Sequence, residues 1–213
     1  MKNNHRYTTF YIVRHGETEA NVQKIIQGQK DYPLNKNGEQ QAIDRARSLR
    51  QVKFDAVFSS DLMRASRTAE IIALEKRLTV TTTKALRERC FGKYEGTSRY
   101  EENVQKIFDL WYALADKEWM KHKIDERFET GEEMVVRLIC FLREIAVGFP
   151  GKTILAVCHE DLMRNALIHF GFGTRDQLRG PTISNTSYFI LETDGIDFFV
   201  KKTEGIKKQT LSA

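Results

Sequence analysis

The sequence has little that bends or cross-links a chain: of 213 residues only 3 are proline and 3 are cysteine. Cys90, Cys140 and Cys158 lie far apart, are odd in number and form no Cys-x-x-Cys pair, which speaks against a disulfide scaffold and against a cysteine zinc site. No stretch approaches the roughly 20 apolar residues that a membrane span requires. Met1 to Arg6 is polar and runs directly into an apolar segment, so the apolar core and small-residue cleavage site of a signal peptide are missing as well. Internal repeats, low-complexity tracts and Pro/Gly/Ser-rich linkers are also missing. These absences lead to the expectation of a soluble, cytoplasmic protein that forms one domain over 1–213 and needs neither disulfides nor a structural metal to hold it.

Charge is plentiful but nearly balanced: 34 Lys and Arg against 29 Asp and Glu leave +5. That bias favours anionic partners, and both a phosphate-ester enzyme and a nucleic-acid binder fit it. No basic module interleaved with aromatics is evident, so nucleic acid is not expected as a partner.

Apolar and β-branched runs place strands at Tyr7 to Val13, Phe54 to Phe58, Thr79 to Ala85 and Thr153 to Cys158, the last being the most apolar. Ala42, Ala46 and Leu49 recur at helical spacing after the first strand. Leu62, Ala65, Ala69 and Ile72 do so after the second, with Ser59, Ser60 and Asp61 as candidate caps. Alternating strands and helices predict a three-layer α/β/α fold with a mainly parallel sheet. The stretch from 97 to 130 breaks the rhythm; charged and rich in aromatics, it reads as a helical insertion near the catalytic edge. Gly131 to Val147 and Leu162 to Phe170 are further helices, Thr186 to Leu191 and Ile196 to Lys202 form a hairpin through Asp194-Gly195, and the polar tail from Glu204 is expected to fray.

In such a sheet, ligands collect beyond the carboxyl ends of the strands. The first strand delivers Arg14-His15 there, the second leads to Arg64, the third to Glu88, and the late apolar strand to His159. This set suits phosphoryl transfer without metal or cofactor: fixed cations around the phosphoryl oxygens and an in-line nucleophile. Arg14 and Arg64 can offer forked donors and Asn21 a neutral one. A neutral His15 can attack phosphorus, Glu88 can protonate the leaving oxygen, and His159 can donate to the phosphoryl group.

Arg14-His15-Gly16-Glu17-Thr18 with Asn21, Ser60-Asp61-Leu62-Met63-Arg64-Ala65 with Thr68-Ala69, Leu86-Arg87-Glu88-Arg89-Cys90-Phe91-Gly92 with Glu95-Gly96, and Cys158-His159 together resemble the histidine phosphatase superfamily. The resemblance runs from about Phe10 to Leu191 and implies a phosphoglycerate mutase-like fold. It also implies a phospho-accepting His15, a proton donor at Glu88, phosphate contacts from Arg14, Asn21, Arg64 and His159, and substrate contacts near Gln27-Gly28. The implied activity is hydrolysis of small phosphorylated metabolites through a phosphohistidine. The alternatives are a cofactor-dependent phosphoglycerate mutase and a weakly active phosphate-binding or scaffold protein. A homodimer is compatible with the sequence.

Two features depart from many relatives. Arg89-Cys90-Phe91-Gly92 is closer to the phosphatases than to the mutases. Glu160-Asp161 follows His159 where relatives often carry small residues; carboxylates repel phosphate but favour a helix N-terminus, so both are expected to turn outward. Arg67, Arg87, Arg89, Arg99 and Arg164 read as surface groups or supports behind the site, and His5, His122 and His169 as bystanders. Cys158 should face away from His159, into packing. Tyr100 and Trp111 are lesser candidates for lining the substrate pocket, and Lys201, Lys202, Lys207 and Lys208 form a basic segment that reads as a solvated end.

Overall fold

The computed structural model describes residues 7–210, so His5 lies outside the described residues. The elements run β1 (Thr8–Arg14), α1 (Glu19–Val22), α2 (Lys36–Ser48), β2 (Ala56–Ser60), α3 (Met63–Leu74), β3 (Val80–Thr83), two 3₁₀ turns (Lys84–Leu86 and Gly92–Tyr94), α4 (Glu102–Ala113), α5 (Asp116–Trp119), α6 (Gly131–Gly148), β4 (Thr153–Cys158), α7 (Glu160–His169), β5 (Ile183–Thr193) and β6 (Phe198–Ile206). The sheet has six strands in the order β3-β2-β4-β1-β5-β6. The first four in that order pair in parallel, and the terminal hairpin adds two antiparallel strands. This is the expected α/β architecture.

Side-chain alternation along β4 builds the layers. Ile154, Ala156 and Cys158 face a core shared with Met134, Leu138 and Leu142 of α6 and Leu162, Met163 and Ala166 of α7. Leu155 and Val157 face the other core, with Ala46 of α2 and Ala65, Ala69 and Ile72 of α3. Cys158 is therefore packed into the core under α6 and α7, as expected, and burial drives its thiol pKa up. The insertion closes over a third cluster in which Phe108, Trp111, Trp119 and Phe128 meet Ile26, Phe91 and Tyr94.

Several local expectations need correction. Helix α3 has Leu62 at its N-cap with no side-chain cap. Asp31, 32 residues away in sequence, accepts from the Met63 N–H at 2.8 Å instead, while Ser60 Oγ accepts from Leu62 N–H at 3.3 Å. The chain from Glu204 to Gln209 is tied down: Glu204 pairs with Arg45 and accepts from the Tyr188 hydroxyl at 2.9 Å. Beyond β6, Lys207 N–H donates to Thr182 O and Gln209 N–H to Gln177 O, both at 2.8 Å. Among the described residues no helix is long and apolar enough to cross a membrane.

Candidate active site

The register between β1 and β4 assembles the site. Arg14 stands opposite Cys158, so the residues that follow, His15 and His159, leave the sheet side by side. The ladder continues one step, with His15 N–H donating to Cys158 O at 3.0 Å. The His15 carbonyl accepts from Thr186 N–H at 3.3 Å and from the Asn185 amide at 3.0 Å. A Cβ on Gly16 would come within 2.4 Å of the Gly38 carbonyl oxygen, so glycine is what lets the two backbones approach this closely. The imidazole centroids of His15 and His159 are 5.1 Å apart.

His15 is 3% exposed and His159 fully buried. His15 Nδ1 lies 2.6 Å from the Gly16 carbonyl oxygen. A carbonyl only accepts, so Nδ1 carries the proton and Nε2 keeps its lone pair in the neutral ring. Burial first, then the Arg64 and Arg14 guanidiniums, hold the His15 pKa well below its ordinary value. Burial, then Arg64 and His15, do the same for His159.

Arg14, His15, Asn21, Gln27, Gly28, Arg64 and Glu88 line one cavity of about 70 Å³. Arg64 is fully buried at the start of α3 and donates to the Gly28 carbonyl at 2.7 Å and the Lys30 carbonyl at 2.9 Å. Gly28 takes φ +53° and meets Glu95 so closely that an added Cβ would lie 2.2 Å from its carboxylate oxygen. Burial pushes the Arg64 pKa down to about 10, with Glu88 and Asp31 opposing, so the group stays cationic at neutral pH. Arg14 donates to the Ile183 carbonyl and, at 2.8 Å, pairs with Glu160. Arg14 Nε, Arg64 Nε, Gln27 Oε1 and both ring nitrogens of His159 are buried without a hydrogen-bond partner within the protein. The unsatisfied guanidinium donors at this cavity are what a multivalent oxyanion would satisfy, whereas Gln27 Oε1 is an acceptor and His159, buried beside His15, is not among the lining residues.

Asn21 reaches the cavity through a different job. Its side-chain oxygen accepts from the Thr18 N–H and hydroxyl, both at 3.1 Å, completing the capping box of α1, so only its amide NH₂ is left to face the cavity. Glu88 is 8% exposed; one oxygen accepts from Arg89 N–H at 2.8 Å and the other from Asp161 N–H at 3.2 Å. Burial, followed by the neighbouring Asp161 charge, raises its pKa against the pull of those N–H groups and Arg64. A buried carboxyl with a raised pKa is suited to carry a proton to a leaving oxygen.

Glu160 and Asp161 do not turn outward. Glu160 lies between Arg14 and Arg164, and Asp161 between Arg89 and Arg164, so each is drawn inward by one cation from a distant segment and by Arg164 one turn along the same helix. Arg89 and Arg164 read from sequence as surface or supporting groups; Arg89 is a buried support, but Arg164, also buried, lines the cavity itself together with Glu160 and Asp161. Tyr100 is 68% exposed and Trp111 is buried, and neither lines this cavity; Ile25, Ile26 and Phe91 form its apolar wall and Arg99 part of its rim. The Phe91 contact was within reach of the third motif, whereas the contributions of Ile25 and Ile26 carry no readable signal.

Residues 10–204 match the family model described as histidine phosphatase superfamily (branch 1). The chain is 34% identical over 152 residues to a Bacillus subtilis (strain 168) protein named uncharacterized phosphatase PhoE, covering 71% of this chain and 72% of that one. It is 35% identical over 161 residues to phosphoglycerate mutase-like protein 4 of Arabidopsis thaliana, covering 75% and 69%. Among solved structures, Bacillus stearothermophilus YhfR superposes with a TM-score of 0.81 at 30% identity, covering 93% of this chain and 97% of that one. Phosphoserine phosphatase from Entamoeba histolytica, solved with 3-phosphoglyceric acid, superposes with a TM-score of 0.78 at 24% identity, covering 92% and 96%, a likeness of fold.

Proposed function

The chain belongs to the histidine phosphatase superfamily, and on that premise we propose that it hydrolyses phosphomonoesters of small metabolites through a phosphohistidine on His15. The observation that carries this reading is the His15 tautomer: Nδ1 is occupied by the Gly16 carbonyl, which leaves Nε2 as a nucleophile beside donors without partners. In the first step the Nε2 lone pair forms an N–P bond as the P–O ester bond breaks, and Glu88 gives its proton to the leaving oxygen. In the second, water attacks phosphorus and passes a proton to the Glu88 carboxylate, while the N–P bond electrons return to His15 and orthophosphate leaves. Arg14, Arg64, His159 and the Asn21 amide hold the peripheral oxygens throughout. Gln27 and Gly28 shape the wall against which the ester's organic part leaves the cavity. No step calls for a metal or cofactor.

Relatives carry both phosphatase and mutase names, so the test must separate the two activities. With chelator present, the protein should release orthophosphate from a panel of phosphorylated metabolites, ranked by kcat/KM. Given 3-phosphoglycerate and catalytic 2,3-bisphosphoglycerate, it should form little 2-phosphoglycerate; efficient mutase turnover would reject hydrolysis as its main reaction.

Glu160 tempers the affinity of this site. Its side chain, 26% exposed, holds one Arg14 nitrogen at 2.8 Å and must compete with an incoming phosphoryl group for it. Glu160→Gln removes that charge while keeping a polar group for Arg164. We expect a drop in KM of roughly fivefold, about 1 kcal/mol for a partly screened ion pair, with kcat little changed. The same fall should appear in the inhibition constant of orthophosphate. Unchanged constants for both would show that Glu160 does not compete for the anion.

A further inference from the structure

A buried chain of charges runs from the helical insertion to Glu88, with Asp161 and Arg164 forming part of the cavity wall. Arg89 is fully buried, its guanidinium carbon 5.2 Å from the Trp111 ring centroid and 5.1 Å from that of Phe128. Its Nε donates to Asp161 Oδ2 at 2.6 Å, and an η nitrogen donates to the Glu129 carbonyl. The other Asp161 oxygen accepts from Arg164, which is anchored on the Leu178 carbonyl at 2.8 Å and the Gly180 carbonyl at 2.9 Å. The Asn165 amide donates to the Asp161 carbonyl at 2.8 Å. Asp161 thus has little freedom to move. The two residues joined by the Arg89–Asp161 ion pair are also the two whose main-chain N–H groups hold Glu88, one on each oxygen.

We infer that Asp161 is a positioning residue for Glu88: clamped between Arg89 and Arg164, it fixes one carboxyl oxygen through its N–H and places a second negative charge beside that carboxyl, which keeps Glu88 protonated until the leaving oxygen arrives. The inference rests on the proposed role of Glu88 as proton donor. It explains why a carboxylate stands near a phosphate site at all. Arg89 and Arg164 balance its charge locally, and burial makes its repulsion of Glu88 stronger than it would be in water. Without the ion pairs, burying Asp161 would disfavour its charge, but Arg89 and Arg164 outweigh burial and hold its pKa below the ordinary value.

The charged and titratable groups around Glu88 settle the sign. Arg64 reaches it from α3, Arg89 is its chain neighbour, and Arg137 of α6 donates to the Glu88 carbonyl at 3.3 Å while paired with Glu129. Cys158 lies on β4, Asp161 on α7, and His15 and His159 complete the site. Asp161 is the group among these that raises the Glu88 pKa by charge. Neutralising it leaves Arg89 and Arg164 uncompensated, which favours the Glu88 carboxylate further. Neutralising Arg89 instead leaves Asp161 less compensated and favours protonated Glu88.

The test is the pH profile of kcat/KM on an alkyl phosphate, whose descending alkaline limb should follow loss of the Glu88 proton. Asp161→Asn, nearly isosteric, should move that limb down by roughly one pH unit, and Arg89→Met, which keeps the aromatic contacts, should move it up. Glu88→Gln is the control and should abolish the limb. A limb that survives in Glu88→Gln would discard the proton-donor reading itself. A limb lost in Glu88→Gln but unmoved in both other variants, with activity lowered equally at every pH, would overturn the role of Asp161 alone. If circular dichroism shows Asp161→Asn unfolded, the Arg89→Met shift decides: upward supports the inference, and no shift overturns it.

Discussion

With His15 replaced by alanine, hydrolysis of an unactivated phosphomonoester should fall by roughly 10⁴-fold or more, as expected when the attacking group of a two-step displacement is removed. Incorporation of acid-labile, alkali-stable phosphate from labelled substrate should disappear with it. The fold should survive, because the contacts that hold this position in the sheet are made by the main chain: His15 N–H to Cys158 O, and the His15 carbonyl to Thr186 and Asn185. The side chain adds the bond from Nδ1 to the adjacent Gly16 carbonyl and its contact with the His159 ring. The pH dependence of the native protein supplies a second check. Burial and two guanidiniums depress the His15 pKa, so the unprotonated, attacking form persists below the range in which a free imidazole becomes protonated. Single-turnover labelling should therefore remain efficient at mildly acidic pH. Wild-type turnover in His15→Ala, or labelling that persists there, would move the nucleophile elsewhere.

The parts of this site that lay open in the sequence are those fixed by a strand's end. Phe10 to Val13 and Ile154 to Val157 are apolar runs that stop at Arg14-His15 and Cys158-His159, and a parallel sheet puts such endings on one edge whatever the register. Arg64 and Glu88 were legible because each follows its strand within a few residues. What sequence could not carry was the pairing between distant segments. Ser60 and Asp61 sit where a local cap for α3 belongs, yet Asp31 caps it from another loop and Asp61 is drawn to Arg87 at 2.6 Å. Glu160 and Asp161 do occupy the first turn of α7, where a helix N-terminus favours carboxylates, but they turn inward rather than outward. Charge at a helix N-terminus is worth a fraction of a kcal/mol to about 1 kcal/mol, whereas a buried carboxylate facing two guanidiniums interacts far more strongly. Arg164 lies one turn further along α7, within local reach, but Arg14 and Arg89 come from separate segments that no local window contains. The Glu204 end failed for the same reason: a polar tail looks frayed until Arg45 of α2 and Tyr188 of β5 are seen to meet it.

Glu88→Gln should separate the two chemical steps. For an alkyl ester, whose departing oxygen is strongly basic, loss of the proton donor should lower kcat/KM by about 10²–10⁴-fold, while an activated aryl ester, which needs little protonation, should lose less than about tenfold. The substitution has a structural cost that must be kept apart from this. Both Glu88 oxygens accept main-chain N–H groups, from Arg89 and from Asp161, but a glutamine offers only one acceptor, and its NH₂ would face the second donor. One buried N–H is left unpaired, at about 1–3 kcal/mol, so the variant should unfold earlier in denaturant without losing its native state. Because both esters are measured on the same folded population, their ratio does not depend on that loss. The second step gives the sharper outcome. After an aryl ester has phosphorylated His15, hydrolysis of the N–P bond still needs a base for the attacking water, and glutamine cannot serve. Glu88→Gln should then release a burst of phenol, one equivalent per site, and accumulate phosphoenzyme that the native protein discharges too quickly to trap. Equal losses on alkyl and aryl esters, with no burst, would assign Glu88 to holding the pocket's shape and leave the proton transfers to another group.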